Sequence, residues 1–336
     1  MLRTSKLALA CVVSLVLAAA AAQAADPVKI RASWVVAPSD WTPLLLEKSD
    51  LMRHNGKTYA LETVRFQGTP AIITAMANNE IELGNLAFSS LGLAIQNAGL
   101  EDLRIVADQF KDGVPGYHTN EYYVLKDSGI GKVEDLKGKV LATNAAGSAV
   151  DIGMRAMLRK HKLEDKRDYT VIEVPFPTMK PMLVQKKADL VTVVAPFAFD
   201  PELRQIGRPL FTQKDGIGET QMLVWVVRKG FIDRNRAAML DFLEDAVRVV
   251  RWYLDPANHD AAAEAAARAT KLPAERFKGW LFTGKDYYRN RDLLPDLAAL
   301  QANIDVQREL GFLKGPIDIA KYADLGLVKE AAARVK

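Results

Sequence analysis

The residues best placed for chemistry in this sequence carry no charge. In "LATNAAGSAVDIGMRAML" (141–158), Thr143, Asn144, Gly147, Ser148 and Ala149 lie between an apolar run and a helical pattern. "QGTP" sets Gln67, Gly68 and Thr69 after the run "ALETVRF", and "NLAFSS" sets Asn85, Ser89 and Ser90 after "IELG". A fourth junction, "APFAFDP", places Pro196 and Phe197 after "ADLVTVV". Ser, Thr and Asn cap helices by accepting bonds from first-turn N–H groups, and Pro fits the first helical position. A helix start also presents unsatisfied N–H donors and the positive end of the helix dipole, which suits a small oxyanion. Capping alone accounts for any one of these loops. Their recurrence at successive junctions adds the reading of a shared anion site, with Trp34 and Phe197, at strand ends, against the ligand's apolar body. Core packing is the competing role for every aromatic nearby, including Trp41, Phe88 and Phe199.

Enzyme chemistry finds little support. No GxGxxG follows a strand, and no GxxxxGK[ST], HExxH or GxSxG occurs. The four histidines, His54, His118, His161 and His259, are too dispersed to suggest a metal site, so neither metal nor cofactor is expected. The sole cysteine, Cys11, lies in an apolar leader. His118 and Glu121 fall near a chain crossing; His118 is expected to be a solvated hinge residue, and Glu121 a hinge hydrogen-bonder.

The elements that must position these loops follow from hydrophobic period. Strand-like runs at 28–36, 60–66, 81–87 and 103–110 alternate with helical segments at 42–56, 69–79 and 89–99. After the turn-rich "KDGVPGYHTN" (111–120) the alternation restarts, with strands at 121–126, 139–143, 169–176 and 188–195, then a long one at 221–229. Such alternation predicts βαβ units and mostly parallel sheets, with ligands at the carboxyl ends of the strands. From Asp233 the pattern turns helical, and Leu240, Leu243, Val247, Val250 and Leu254 form a stripe for packing on a sheet. Two crossings, near 111–123 and 215–226, imply two lobes with a cleft between them. The lobes are expected at 25–115 plus a helical return at 226–336, and at 116–225.

Composition agrees with an exported binding domain. Arg3 and Lys6, the apolar run after them and "AQA" at 22–24 have the layout of a cleavable secretory signal peptide. Its removal leaves 312 residues, no cysteine and a net charge of +2. Basic and acidic residues are interspersed, so no nucleic-acid or membrane footprint is expected.

"IELGNLAFSSLGLAIQ", "KVEDLKGKVLATNAAGS", "VTVVAPF" and "QMLVWVVRKGF" resemble, in this order, segments of the periplasmic solute-binding proteins of aliphatic sulfonate, taurine and nitrate ABC importers. The likeness runs from about residue 28 to residue 325. It implies a two-lobed, type II-like binding protein that acts as a monomer, closes on a small molecule and delivers it to a membrane permease without turnover. It also implies a ligand held against Gln67–Thr69, Asn85–Ser90, Asn144–Ala149 and Ala195–Phe197. Val194 stands where taurine and sulfonate receptors often carry Trp, and Leu223 where taurine-type members carry an acid for the ammonium group. Those departures turn the expectation from taurine toward a larger, less polar oxyanion. Receptors of this fold for pyrimidine precursors of thiamine, and sensory receptors, are the alternatives.

Overall fold

The computed structural model describes residues 26–336; the signal-peptide expectation for 1–24 lies outside them. Ten strands form two five-stranded sheets. The first contains β1 (Val28–Trp34), β2 (Tyr59–Arg65), β3 (Leu83–Ala87), β4 (Leu103–Asp112) and β10 (Thr220–Arg228), in the order β2-β1-β3-β10-β4. The second contains β5 (Glu121–Leu125), β6 (Val140–Thr143), β7 (Thr170–Glu173), β8 (Leu190–Val193) and β9 (Gly207–Thr212), in the order β7-β6-β8-β5-β9. Each sheet is mixed. β10 runs against β3 and β4, and β5 runs against β8 and β9, while the other pairings are parallel. The opposed strand in each sheet is the first one laid down after the chain crosses from the other sheet.

β9 has no counterpart among the expected strands. Pro209 interrupts its apolar pattern, and Pro is tolerated there because β9 is an edge strand. The helix expected over 42–56 stops at Glu47. Beyond it, buried Asp245 accepts bonds from the backbone N–H groups of Arg53 and His54, both at 2.8 Å, and draws the chain away from the helical path.

Helix Arg236–Tyr253 follows its stripe. Leu240, Leu243, Val247 and Val250 are buried with Trp41, Tyr59 and Trp225 on one face of the first sheet. Each such side chain contributes about 1.5–3 kcal/mol by leaving water. A separate core around Tyr122, Met154 and Phe211 covers the second sheet. The largest apolar cluster contains both Leu86 and Phe88 of the first sheet's side and Ala142, Ile152 and Val191 of the second's. Apolar packing is therefore continuous across the junction of the two sheets. The C-terminal region is less uniformly helical than its composition suggests. Between helices Glu275–Lys278 and Leu297–Glu309 the chain is irregular, and Tyr288 makes an antiparallel bridge to Lys111 at the first crossing. No helix of the described residues is long and apolar enough to cross a membrane.

Candidate functional site

Parallel strands end together, so the loops after β1, β2, β3, β6 and β8 are brought toward the seam between the sheets. A cavity of about 60 Å³ lies there. Thr69 opens helix Thr69–Ala77, Ala87 precedes helix Phe88–Asn97, and Ser148, Ala149 and Val150 open helix Ala149–Lys160; all five line the cavity. Three helix starts thus face one space. Gly68 and Ala87, at the N-cap positions, supply no side-chain cap. Ser148 does cap its helix, accepting from Asp151 N–H at 3.3 Å while its hydroxyl donates to Asn144 Oδ1 at 2.8 Å.

The sequence-derived residues fall into three groups. Thr69, Asn144, Ser148 and Ala149 line the inner cavity. Trp34, Gln67, Pro196 and Phe197 line an open groove of about 660 Å³, which shares Val35, Val36 and Phe176 with the cavity. Gly68, Asn85, Ser89, Ser90 and Gly147 line neither. Ser90 and Thr69 link two helix starts through a 2.7 Å hydroxyl contact, and Asn85 and Ser89 are fully buried. Gly147 has φ +74°, the left-handed region that favours glycine, and its N–H donates to Asp151 at 2.9 Å. Gly68 answers a different need, since an added Cβ would lie 2.8 Å from Asn144 Nδ2 and 3.1 Å from Ala145 Cβ. Among the other aromatics, Trp41 stacks on Phe282, Phe88 is buried in the core, and Phe199 stacks on Trp280 with centroids 4.2 Å apart.

Polar contacts close the seam. Ser39 Oγ donates to Ala195 O at 2.9 Å, and Ala195 N–H donates to Tyr287 Oη at 3.0 Å. Tyr287 Oη in turn donates to Asn120 Oδ1 at 2.5 Å, and Asn120 Nδ2 donates to Gln213 Oε1 at 3.1 Å. Asn120 N–H donates to Asp112 at 2.7 Å, so both chain crossings share one hydrogen-bonded network. Burial lifts Asp112 to about 7. Asp40 also lines the cavity; burial raises its pKa, while N–H bonds from Val35 (2.6 Å) and Val36 (3.0 Å) favour the charged form.

His118 is not a solvated residue. Its ring packs 5.1 Å from both Phe199 and Tyr287, and burial lowers its pKa to about 3, so it stays neutral. Glu121 leaves Oε2 without a hydrogen-bond partner, and burial raises its pKa. One group of metal-type ligands lies together among the described residues: His54, Asp241 and Glu244, within 4.8 Å. Arg248 and Arg334 already pair with its carboxylates, away from both cavities.

Sequence reasoning missed Ser39, Asp40, Asn120 and Tyr287. "APSDW" after β1 has the same small-polar junction composition as the other loops, and could have pointed to the first two. Tyr287 lies in the irregular C-terminal segment, where no period marks it.

The comparisons agree with this architecture. The model of the NMT1-like family matches residues 24–267. No curated protein matches the sequence. The alkanesulfonate-binding protein SsuA from Xanthomonas axonopodis pv. citri, bound to MOPS, superposes with a TM-score of 0.70 at 19% identity, over 90% of this chain and 100% of its own. The periplasmic nitrate-binding protein NrtA from Synechocystis PCC 6803 gives 0.70 at 14% identity, over 92% and 89%. The desulfurization enzyme DSZB gives 0.65 at 15% identity, over 91% and 99%. At these identities the likeness shows the two-lobed fold, which therefore carries both binding proteins and an enzyme.

Proposed function

The chain belongs to the NMT1-like family, and from that premise we propose that it is the periplasmic substrate-binding protein of an ABC importer. It captures a small organic oxyanion with an apolar or aromatic body between its lobes and delivers it, unchanged, to a membrane permease. One observation carries this reading: three helix starts, two from the first sheet's side and one from the second's, face a single cavity. The N–H groups around Thr69, Ala87 and Ser148–Val150 would hold the head group, with Thr69, Asn144 and Ser148 as side-chain partners. Lobes at 25–115 with 226–336, and at 116–225, would part about the crossings to admit it.

Magnitudes set the division of labour. A helix N-terminus contributes about 0.3–1 kcal/mol at exposed sites and up to about 2 kcal/mol when partly buried. Micromolar affinity needs about 8 kcal/mol. Helix ends thus select the anion, and burial of its body supplies much of the remainder.

The test is a thermal-shift screen of residues 25–336 followed by calorimetry. The panel holds alkyl and aryl sulfonates, matched carboxylates, taurine, nitrate and a pyrimidine. Stabilisation by organic oxyanions with no product formed supports the proposal, and Ser148→Glu should abolish that binding. Stabilisation by the pyrimidine alone, or turnover of a bound compound, overturns it.

A further inference from the structure

The inner cavity and the outer groove differ in charge. The cavity's one charged side chain is Asp40, and no Lys or Arg lines it. The groove is lined by no acid, and its one charged residue is Arg65. Arg65 stands beside Trp34 in the β1–β2 register, at the carboxyl ends of both strands. Its guanidinium lies 5.3 Å from the centroid of the Trp34 ring and makes no ion pair or hydrogen bond among the described residues. Several arginines are engaged, Arg155 with Asp151 and Asp165, Arg251 with Asp292 and Arg228 with Asp102; Arg65 differs from the other unpaired ones in lying over an aromatic ring on the wall of an acid-free groove. An unpaired guanidinium fixed on an aromatic face keeps its donors free for a planar anion. The groove, which adjoins the cavity through Val35, Val36 and Phe176, presents Phe66, Phe176, Phe197 and three prolines, Pro175, Pro177 and Pro196, an apolar passage.

Resting on the oxyanion-binding reading above, we infer that Arg65 is a specificity-determining residue for a second anionic group. The substrate class is then an organic dianion. One oxyanion lies at the helix starts in the cavity, an apolar or aromatic body spans the groove, and a carboxylate or sulfonate at the far end meets Arg65 over Trp34. A ligand with one charged end leaves Arg65 in water.

Calorimetry on residues 25–336 with two matched pairs tests this: benzoate against terephthalate, and benzenesulfonate against para-sulfobenzoate. Wild type should bind the dianion of a pair about tenfold more tightly, the range of a hydrogen bond to a charged group at a partly exposed site. In Arg65→Gln that ratio should fall to about one, and in Arg65→Glu it should invert. Arg65 is exposed, so both variants should keep the wild-type melting temperature without ligand. A wild-type ratio of one overturns the inference while leaving oxyanion binding in place. Equal losses for both members of a pair also overturn it, because Arg65 would then meet the group they share. Failure of all four probes to bind wild type overturns this inference and the oxyanion reading together.

Discussion

The inner cavity and the outer groove are neighbours built on opposite principles. The cavity, about 60 Å³, is walled by helix starts and by side chains already committed to one another: Ser148 with Asn144, Tyr287 with Asn120 and Ala195, Asp40 with two backbone N–H groups. The groove, about 660 Å³, is walled by rings, prolines and one unpaired cation. A committed wall resists change, because each broken bond strands a buried partner at about 1–3 kcal/mol. An apolar wall adapts, because its contacts are many and individually weak. On the proposed reading, the difference divides selectivity between them. The cavity should discriminate sharply by charge and size, and the groove gradually by the body of the ligand.

The largest effect should come from placing charge in the cavity. Ala149 is buried, lines the cavity and begins a helix, a position where a Glu suits the dipole. Ala149→Glu puts a carboxylate where the head group would lie, and binding of any monoanion should fall by about a hundredfold or more. Ala149→Gln, of similar volume without the charge, separates repulsion from filling. Calorimetry that found the two variants equal would show the cavity to select by size alone, and the contrast with the groove would fail.

The two regions were unequally legible in the sequence. Cavity residues announced themselves because they sit at strand-to-helix junctions, where Ser, Thr, Asn and Gly have a local reason to occur. The "QGTP" and "NAAGS" loops were found that way, though the same logic led to Ser89 and Ser90, which face inward from a helix buried on nearly all sides. The pattern gives a loop, not the direction of each side chain within it. Tyr287 closes the cavity from 92 residues beyond Ala195, a contact that no local pattern reports. Arg65 is not legible as a site residue, because an exposed arginine at a strand end has the composition of ordinary surface. The strand alternation carried the sheets almost whole, and failed at β9, where an edge position tolerates a proline.

A middle-sized effect should separate the regions by pH. No acid lines the groove, whereas on the cavity's side Asn120 is held by Asp112, whose pKa burial lifts from 3.8 to about 7. A carboxyl raised on folding holds its proton in the native state, so its contribution is complete at low pH and is lost as pH rises toward 7. His118 works in the other direction, since its depressed value makes stability fall as pH drops below 6.5. Comparison with Asp112→Asn isolates the first effect. Urea unfolding from about pH 4 to pH 7 should show wild type losing up to about 1.4 kcal/mol per pH unit relative to the variant. Parallel curves would mean that Asp112 has the same pKa folded and unfolded, and that the wall it holds is as indifferent to pH as the groove.

The smallest effect should belong to the groove. Phe197 is half-buried, with its ring nearly parallel to that of Phe176 at 6.5 Å, and it lines the passage without making a polar commitment. Phe197→Ala removes apolar contact from the body of the ligand and touches nothing that holds the head group. Affinity for an aryl oxyanion should fall about threefold to tenfold, in the range for partial loss of an apolar contact. Affinity for nitrate, which has no body to reach the groove, should not change. A loss shared by nitrate would mean that the groove wall supports the cavity's shape, and the division between a selective interior and an adaptable mouth would have to be redrawn with Phe197 on the inner side.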